Sequence, residues 1–219
     1  MRFISHLDLG RLFKRILRRA EIDIGFSNGF NPHELINIVQ PLSLGYESER
    51  EYLEIDTVSA YQTDMLMDMM NISLPEGIRF TDCKEIPTGS HNMSGKCEYA
   101  LYTAVLPFNE KINTDSVRNF CRQDNINILK KDKKTGRTVE KNIKSFILDI
   151  SEPEKSDGML KLEMTLRCAS NETLNPGKLL ESLLMYTGAG IEMEYIKIIR
   201  KDILGKDRNG KLVSIYEVA

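Results

Sequence analysis

The sequence predicts an α+β protein made of two tandem ferredoxin-like units, each a split β-α-β fold. The predicted strands and helices of the second half follow the order β-α-β-β-α-β, and the first half repeats this order with its first strand weak or missing. Residues 87–96, Pro-Thr-Gly-Ser-His-Asn-Met-Ser-Gly-Lys, have the composition of a linker. We therefore expect an N-terminal domain over residues 1–88, a C-terminal domain over 94–219, and a C-terminal β-hairpin.

The first half predicts two helices and three strands. Apolar residues repeat at helical spacing over residues 8–20, and Ser5 or Asp8 is the expected N-cap. The capping-box pattern at 59–62, with Gln in place of Glu, predicts the start of a Met-rich helix that ends near Asn71. The predicted strands cover residues 35–39, 51–58 and 78–86.

The second half has clearer signals for the ends of its elements. Asn175 followed by Pro176 predicts the start of a helix that stops at Gly188. Asn209-Gly210 predicts a type I′ turn in a terminal hairpin. Another helix is expected over residues 114–123, with Asn113 or Thr114 as its cap. The predicted strands cover residues 99–108, 126–131, 143–150, 159–166 and 191–199.

Composition limits the classes of protein to consider. The chain has 219 residues, of which 41% are hydrophobic and 28% charged, as in ordinary globular proteins. It has no apolar run of membrane-spanning length and no signal-peptide core at its start, so we expect a cytoplasmic protein that does not bind membranes. Because the net charge is only -2, affinity for nucleic acid has to come from local patches.

The four cysteines are Cys83, Cys97, Cys121 and Cys168. Their spacing is wide and irregular and includes no Cys-x-x-Cys pair, which argues against a zinc ribbon or an iron–sulfur cluster. We expect reduced, mostly buried thiols, and no cluster or metal site in this chain.

The main candidate binding segment is the loop over residues 27–33. Ser27-Asn28-Gly29 and Asn31-Pro32 are two adjacent turn signals, so the segment is a stiff, irregular loop ahead of an apolar strand. Such loops often hold binding groups, although a helix-to-strand connection whose polar side chains cap backbone groups explains the pattern equally well. The candidate binding residues of the loop are Ser27, Asn28, Gly29, Phe30, Asn31 and His33.

Basic residues cover one side of the first helix. Arg11, Lys14, Arg15, Arg18 and Arg19 lie between Asp8 and Glu21 with no acid among them. A solvated helix face is the simpler explanation, but this excess of one sign favours a surface for phosphate groups. We take Arg11, Arg15, Arg18 and Arg19 as candidate binding residues, and expect charge reversal at Arg15 and Arg18 to weaken RNA association more than stability.

Two other charged segments have open interpretations. The acidic residues Glu47, Glu49, Glu51, Glu54 and Asp56 suit either solvated strand positions or charge complementarity with a partner or with the first helix. The lysine-rich segment 130–137 suits either a solubilising hairpin tip or contact with a phosphate backbone.

His6, Asp8 and His33 are the candidate catalytic residues. Two histidines can act as acid and base in RNA cleavage, orient a substrate, or bind a metal together with Asp8. A metal site would need further ligands that the sequence does not indicate. The first helix places His6 and His33 on the order of 20 Å apart unless the loop doubles back, which argues against one shared centre. The simplest role for His6 is that of a hydrogen-bonded helix cap.

Several motifs match a known family. They are Arg2-Phe-Ile-Ser-His-Leu-Asp8, Arg18-Arg19-Ala20, Ser27-Asn-Gly-Phe-Asn-Pro-His33, Pro41-Leu-Ser-Leu-Gly45, Glu47-Ser48 and Glu51-Tyr52. On these residues the chain resembles the radical-SAM-linked domain of unknown function of bacteria, the companion of B12-binding radical SAM proteins. The match is dense over residues 1–56. Members of the family have one further strand before the position of Met1. The resemblance therefore implies that this chain starts after that strand and leaves a sheet edge exposed.

The resemblance also implies partners and cofactors. It suggests a B12-binding radical SAM protein as partner, which would hold the SAM, the iron–sulfur cluster and the cobalamin, with no cofactor in this chain. Gene neighbours of the family include an E/G-type ribonuclease and ribosomal proteins, which implies RNA or the ribosome as a further partner. We therefore expect an RNA-binding or substrate-presenting module. The alternatives are an RNA-processing or RNA-modifying enzyme that uses His6 or His33, and a protein-only adaptor.

Overall fold

The computed structural model describes residues 2–87, 92–131 and 136–218. The helices are α1 His6–Arg19, α2 Thr63–Ile72, α3 Met93–Lys96, α4 Thr114–Arg122, α5 Pro176–Thr187 and α6 Ile215–Val218. The strands are β1 Ile36–Ile38, β2 Glu47–Ser48, β3 Leu53–Ile55, β4 Cys97–Pro107, β5 Asn127–Lys131, β6 Thr138–Asn142, β7 Ile147–Ile150, β8 Glu154–Ser156, β9 Met159–Arg167, β10 Lys197–Lys206 and β11 Leu212–Ser214. Short 3-10 helices cover Lys144–Phe146 and Met193–Tyr195. The predicted α+β class is confirmed.

The chain divides into two compact units. The first contains residues up to Tyr46 together with Glu51–Ser94, and the second contains Gly95–Val218 together with the short segment Glu47–Arg50. A single division point along the chain cannot describe this arrangement, because Glu47–Arg50 belongs to the second unit but lies within the sequence range of the first. Parts of the predicted linker, residues 88–91, lie outside the described residues. None of the helices described is long and apolar enough to cross a membrane.

The first unit is organised around α1. Ser5 is its N-cap, because the Ser5 hydroxyl accepts the Asp8 N–H at 3.2 Å. Phe13, Ile16 and Leu17 form the buried stripe of the helix and pack in one core with residues of α2. The sheet of this unit is the antiparallel pair β1–β3, in which Ile36 faces Ile55.

Two predictions about the first unit were wrong. Residues 78–86 do not form a strand, because the Asn71 side chain accepts the Phe80 N–H and donates to the Phe80 carbonyl, which satisfies the groups a neighbouring strand would use. The capping box at 59–62 is absent. The Ser59 hydroxyl donates to the Asp23 carboxylate instead, and α2 begins at Thr63 without a side-chain cap.

The second unit is organised around a sheet with the spatial order β11-β10-β4-β9-β7. Alternate residues of its central strands are buried, namely Ala100, Tyr102, Ala104 and Leu106 on β4 and Leu160, Leu162, Met164 and Leu166 on β9. Along the chain the elements follow the predicted order, with the hairpin β5–β6 inserted between α4 and β7. The described sheet of the first unit has only two strands, so the tandem ferredoxin-like repeat stays a prediction.

The ends of the second unit's elements test several sequence signals. Asn113 caps α4, Asn175 caps α5, and Gly188 ends α5 in the left-handed region at φ 62°, as predicted. The last core strand begins at residue 197 rather than 191, after a 3-10 turn. The terminal hairpin has no type I′ turn, since only Gly210 of the Asn209-Gly210 pair has a positive φ and Asp207 bonds the turn amides.

The second unit also contains the strand β2, which pairs in parallel with β10. Glu47 faces Ile199 and Ser48 faces Arg200, and the Glu49 N–H donates to the Arg200 carbonyl at 2.9 Å. The Ser48 hydroxyl donates to the same carbonyl at 3.2 Å. Backbone pairing thus holds this segment to the sheet.

Candidate functional site

The base of the 27–33 loop is closed by bonds between Ser27 and His33. The Ser27 N–H donates to the His33 carbonyl at 2.9 Å, and the His33 N–H donates to Ser27 Oγ at 3.1 Å. Ser27 Oγ also lies 2.8 Å from His33 Nδ1. An isolated bridge between Phe26 and Glu34 continues the pairing. The loop is therefore a closed unit with a defined base.

Glu34 fixes this base to α1. Its carboxylate accepts from Lys14 Nζ at 2.8 Å and from the Arg18 guanidinium, and only 11% of its side chain is exposed. Hydrogen bonds from Lys14 and then Arg18 lower the pKa of Glu34 to about 2. Glu34 was not among the residues predicted for the site. The available signal was one acid, directly after the loop, opposite a helix face with five cations.

The bond to Ser27 occupies one ring nitrogen of His33. Nδ1 lies 2.8 Å from Ser27 Oγ, and which of the two atoms donates depends on the tautomer of the imidazole. His33 is exposed, so its other ring nitrogen is available for a hydrogen bond to a ligand or for proton transfer.

The tip of the loop is fully accessible. Phe30 has a relative exposure of 106%, and Asn28 and Asn31 beside it are exposed. Within the described residues neither asparagine side chain has a hydrogen-bond partner. Gly29 adopts φ 128°, a conformation that side-chain-bearing residues rarely take, so the turn depends on glycine. The tip offers one aromatic ring with amide donors and acceptors around it.

The basic face of α1 is only partly neutralised. Arg11 pairs with Asp8 at 2.8 Å, whereas Lys14 and Arg18 share Glu34. Arg15 and Arg19 are exposed and have no ion-pair partner in the described part of the chain. They are four residues apart and so neighbour each other on the helix surface. Two of the four predicted arginines are therefore free to bind an anion.

His6 and Asp8 lie in a different part of the unit. His6 faces a recess of about 40 Å³ lined by Arg2, Ile4, His6, Leu9, Leu42, Ser43 and Tyr46, and no residue of the 27–33 loop lines it. Asp8 bonds to Ser5 and Arg11, which lower its pKa. His6 itself is exposed and has no hydrogen-bond partner among the described residues. Its predicted capping role was therefore wrong, since Ser5 caps α1.

The structure does not bring His6 and His33 together. Glu34, next to His33, contacts Lys14, which lies eight residues beyond His6 and about 12 Å further along the helix axis. Within the described ranges there is also no group of three His, Cys, Asp or Glu side chains that is suited to a metal ion. All four cysteines are free, and burial raises the pKa of the half-buried Cys83 and Cys121 thiols.

The other charged segments are partly used within the second unit. Glu47 pairs with Lys197 at 2.7 Å, and Glu49 pairs with Lys201. The acidic stretch thus finds part of its complement on β10 rather than on the first helix. Of the basic segment 130–137, residues 132–135 lie outside the described residues. Beyond that segment, Lys141 lies over the Phe146 ring at 4.1 Å.

The fold and this surface define an α+β protein with an anchored polar loop beside a basic helix. A family model described as "Uncharacterized protein conserved in bacteria (DUF2344)" matches residues 1–176. The chain therefore belongs to this family of bacterial proteins. A search of curated proteins found no match.

Proposed function

We propose that this chain is an RNA-binding module that presents RNA to a partner enzyme, without chemistry of its own. The observation behind this proposal is that Glu34 bonds the base of the exposed loop to α1, the helix that also carries the unpaired cations. Arg15 and Arg19 supply charge for phosphates, and the loop supplies the polar and aromatic groups for bases. The resemblance to radical-SAM-linked proteins supports a B12-binding radical SAM protein as that partner.

The anchoring of the loop lowers the entropic cost of binding a ligand. Glu34 joins the loop base to Lys14 and Arg18, and the Ser27–His33 bonds close it, so little conformational freedom remains to be lost when a ligand binds. A preformed loop beside a cationic helix face suits a polyanion with accessible bases.

The separation of His6 and His33 disfavours the alternative of an RNA-processing enzyme that uses both histidines. Acid–base cleavage by two histidines needs both at one centre. His33 adjoins Glu34, which bonds to Lys14, about 12 Å along the axis of α1 from His6. One ring nitrogen of His33 is bonded to Ser27, and the other is available to hydrogen-bond a phosphate or a base.

The test is a salt titration of RNA binding by fluorescence anisotropy. Arg15→Gln/Arg19→Gln should weaken binding and lower the slope of log K against log salt by about 1.4, because two phosphate contacts are lost on a single strand. Arg208→Gln/Lys211→Gln is the matched control. It removes the same charge from exposed residues of the terminal hairpin and should bind as the wild type does.

Arg18 is unsuitable for this test, although the sequence suggested it. Charge reversal there would place a carboxylate against Glu34 and detach the loop, so that weaker binding would have two causes. The proposal fails if the wild-type protein binds no RNA at low salt, or if Arg15→Gln/Arg19→Gln binds as tightly as the control. A protein-only adaptor would then be the better account.

A further inference from the structure

We infer that the 27–33 loop binds unpaired nucleotides and that Phe30 is the surface on which a base stacks. The inference rests on the proposed RNA-binding function and specifies its substrate class as single-stranded RNA. It starts from the exposure of Phe30, at 106% the highest of any large hydrophobic side chain described. Folding gains nothing from this ring, since an exposed aromatic contributes no core packing.

The ring is exposed on a loop that is fixed at its base. Phe30 is three residues from His33, so it lies at most about 10 Å from the Ser27–His33 closure. That closure adjoins Glu34, whose partners Lys14 and Arg18 lie on α1. A base stacked on the ring would therefore have its neighbouring phosphates near the α1 arginines.

The arginines lie in a row on the helix to which the loop base is bonded. Arg15 and Arg19 are about 6 Å apart along the helix axis, and Arg18 lies between them in sequence. Arg18 remains 73% exposed although it pairs with Glu34. A stacking ring followed by a track of cations is the arrangement by which proteins bind single strands with little sequence preference.

An unpaired base fits this loop better than a duplex. In a duplex both faces of an internal base are covered by its neighbours, so the ring of Phe30 has no face to stack on. The Asn28 and Asn31 amides, which have no partner in the described structure, can bond the base edges that pairing would otherwise occupy. The exposed His33 imidazole adds one more hydrogen-bonding group.

A lipid bilayer fits less well than RNA. Inserting Phe30 into hydrocarbon would carry Asn28 and Asn31 with it, and a polar group without a hydrogen bond is costly in an apolar medium. The same amides are satisfied by the edges of a nucleobase.

The experiment compares a single-stranded RNA of about 12 nucleotides, containing 2-aminopurine, with the duplex of the same sequence. The wild type should bind the single strand at least about tenfold more tightly and quench its fluorescence by stacking. Phe30→Ala should weaken binding to the single strand roughly 5- to 100-fold with the salt dependence unchanged, and Phe30→Trp should keep it. Phe30→Leu, which keeps an apolar side chain without a ring, should behave like Phe30→Ala.

Phe3→Ala is the matched control, because it removes an exposed ring (76%) that lies outside the loop. It should bind as the wild type does, and equal melting curves should show that every variant is folded. Equal binding of single strand and duplex, an unaffected Phe30→Ala variant, or wild-type binding by Phe30→Leu would overturn the stacking inference and leave the proposed function standing. So would Phe30-dependent binding to vesicles of anionic phospholipid with no effect on RNA. Absence of RNA binding in the wild type would instead refute the proposed function itself.

Discussion

The loop of the first unit and the strand β2 of the second unit are both polar segments, but different interactions hold them in place. Glu34 fixes the loop through two cations with a largely buried carboxylate. β2 is held by backbone pairing to β10, and its ion pairs lie at the surface. The Glu49 side chain is 54% exposed and Lys201 is 34% exposed.

The difference shows where charge matters for this fold. A strand in a sheet already has its amide groups satisfied, so a solvated ion pair beside it adds little. The stem of the loop is held by backbone bonds among Gly25, Leu35 and Asp56, and the enclosed carboxylate of Glu34, shared by two cations, adds the attachment to α1. Ion pairs therefore contribute to the stability of the fold at the candidate site, whereas those on the second unit's sheet contribute little.

The largest expected effect of breaking these contacts is at Glu34. Its pKa is lowered from 4.5 to about 2, so its ionised form stabilises the folded state. That contribution is complete above about pH 5 and is lost as the pH falls through 4.5 toward 2. Glu34→Gln should lower the free energy of unfolding by about 1–2 kcal/mol at neutral pH, discounted because Lys14 and Arg18 are partly exposed. Urea unfolding across this pH range measures the difference.

Glu76→Gln is the control, since Glu76 is exposed and has no partner among the described residues. The difference in stability between the wild type and Glu34→Gln should shrink as the pH falls from about 5 toward 2, where Glu34 is about half protonated in the folded state. A difference between them that stays constant from pH 2 to neutral would mean that the carboxylate charge does not fix the loop.

A smaller effect is expected at Ser27. Ser27→Ala removes the acceptor of the His33 N–H and the partner of Nδ1, and should lower the free energy of unfolding by about 0.5–1 kcal/mol because water can replace these bonds. Hydrogen exchange of the His33 amide should become faster. Asn28→Ala, in the same loop but without a bond in the described structure, should leave it unchanged. Unaltered exchange in Ser27→Ala would show that other contacts close the loop base.

The parts of the fold that depend on local chemistry were predictable from sequence. Asn113, Asn175 and Gly188 act as caps because their side chains or backbone conformations satisfy helix ends locally. The strand at residues 78–86 was mispredicted because strand formation needs a neighbour, and the Asn71 side chain occupies the Phe80 backbone groups. Likewise, no local pattern indicates that Glu47–Arg50 pairs with β10, about 150 residues further along the chain.

At the candidate site, the stiff loop was predictable but its anchoring was not. Turn signals around Gly29 and Pro32 indicate a loop with exposed polar groups. The choice of Lys14 and Arg18 as partners of Glu34, which leaves Arg15 and Arg19 free, depends on which side of α1 the loop meets. Helical periodicity alone places all of these cations on one broad face and cannot separate them.

The smallest expected effect tests the other side of the comparison. Glu49→Gln removes the ion pair with Lys201 but keeps the Glu49 N–H that donates to the Arg200 carbonyl. Since both charged groups are partly solvated, the free energy of unfolding should change by no more than about 0.5 kcal/mol. Salt should affect the stability of the variant and the wild type almost equally, because the Glu49–Lys201 ion pair contributes little stability that salt could screen. Urea unfolding at low and high salt measures both quantities. A loss at Glu49 as large as the loss at Glu34 would mean that charge, rather than backbone pairing, holds β2 to the sheet, and the contrast between the two segments would not hold.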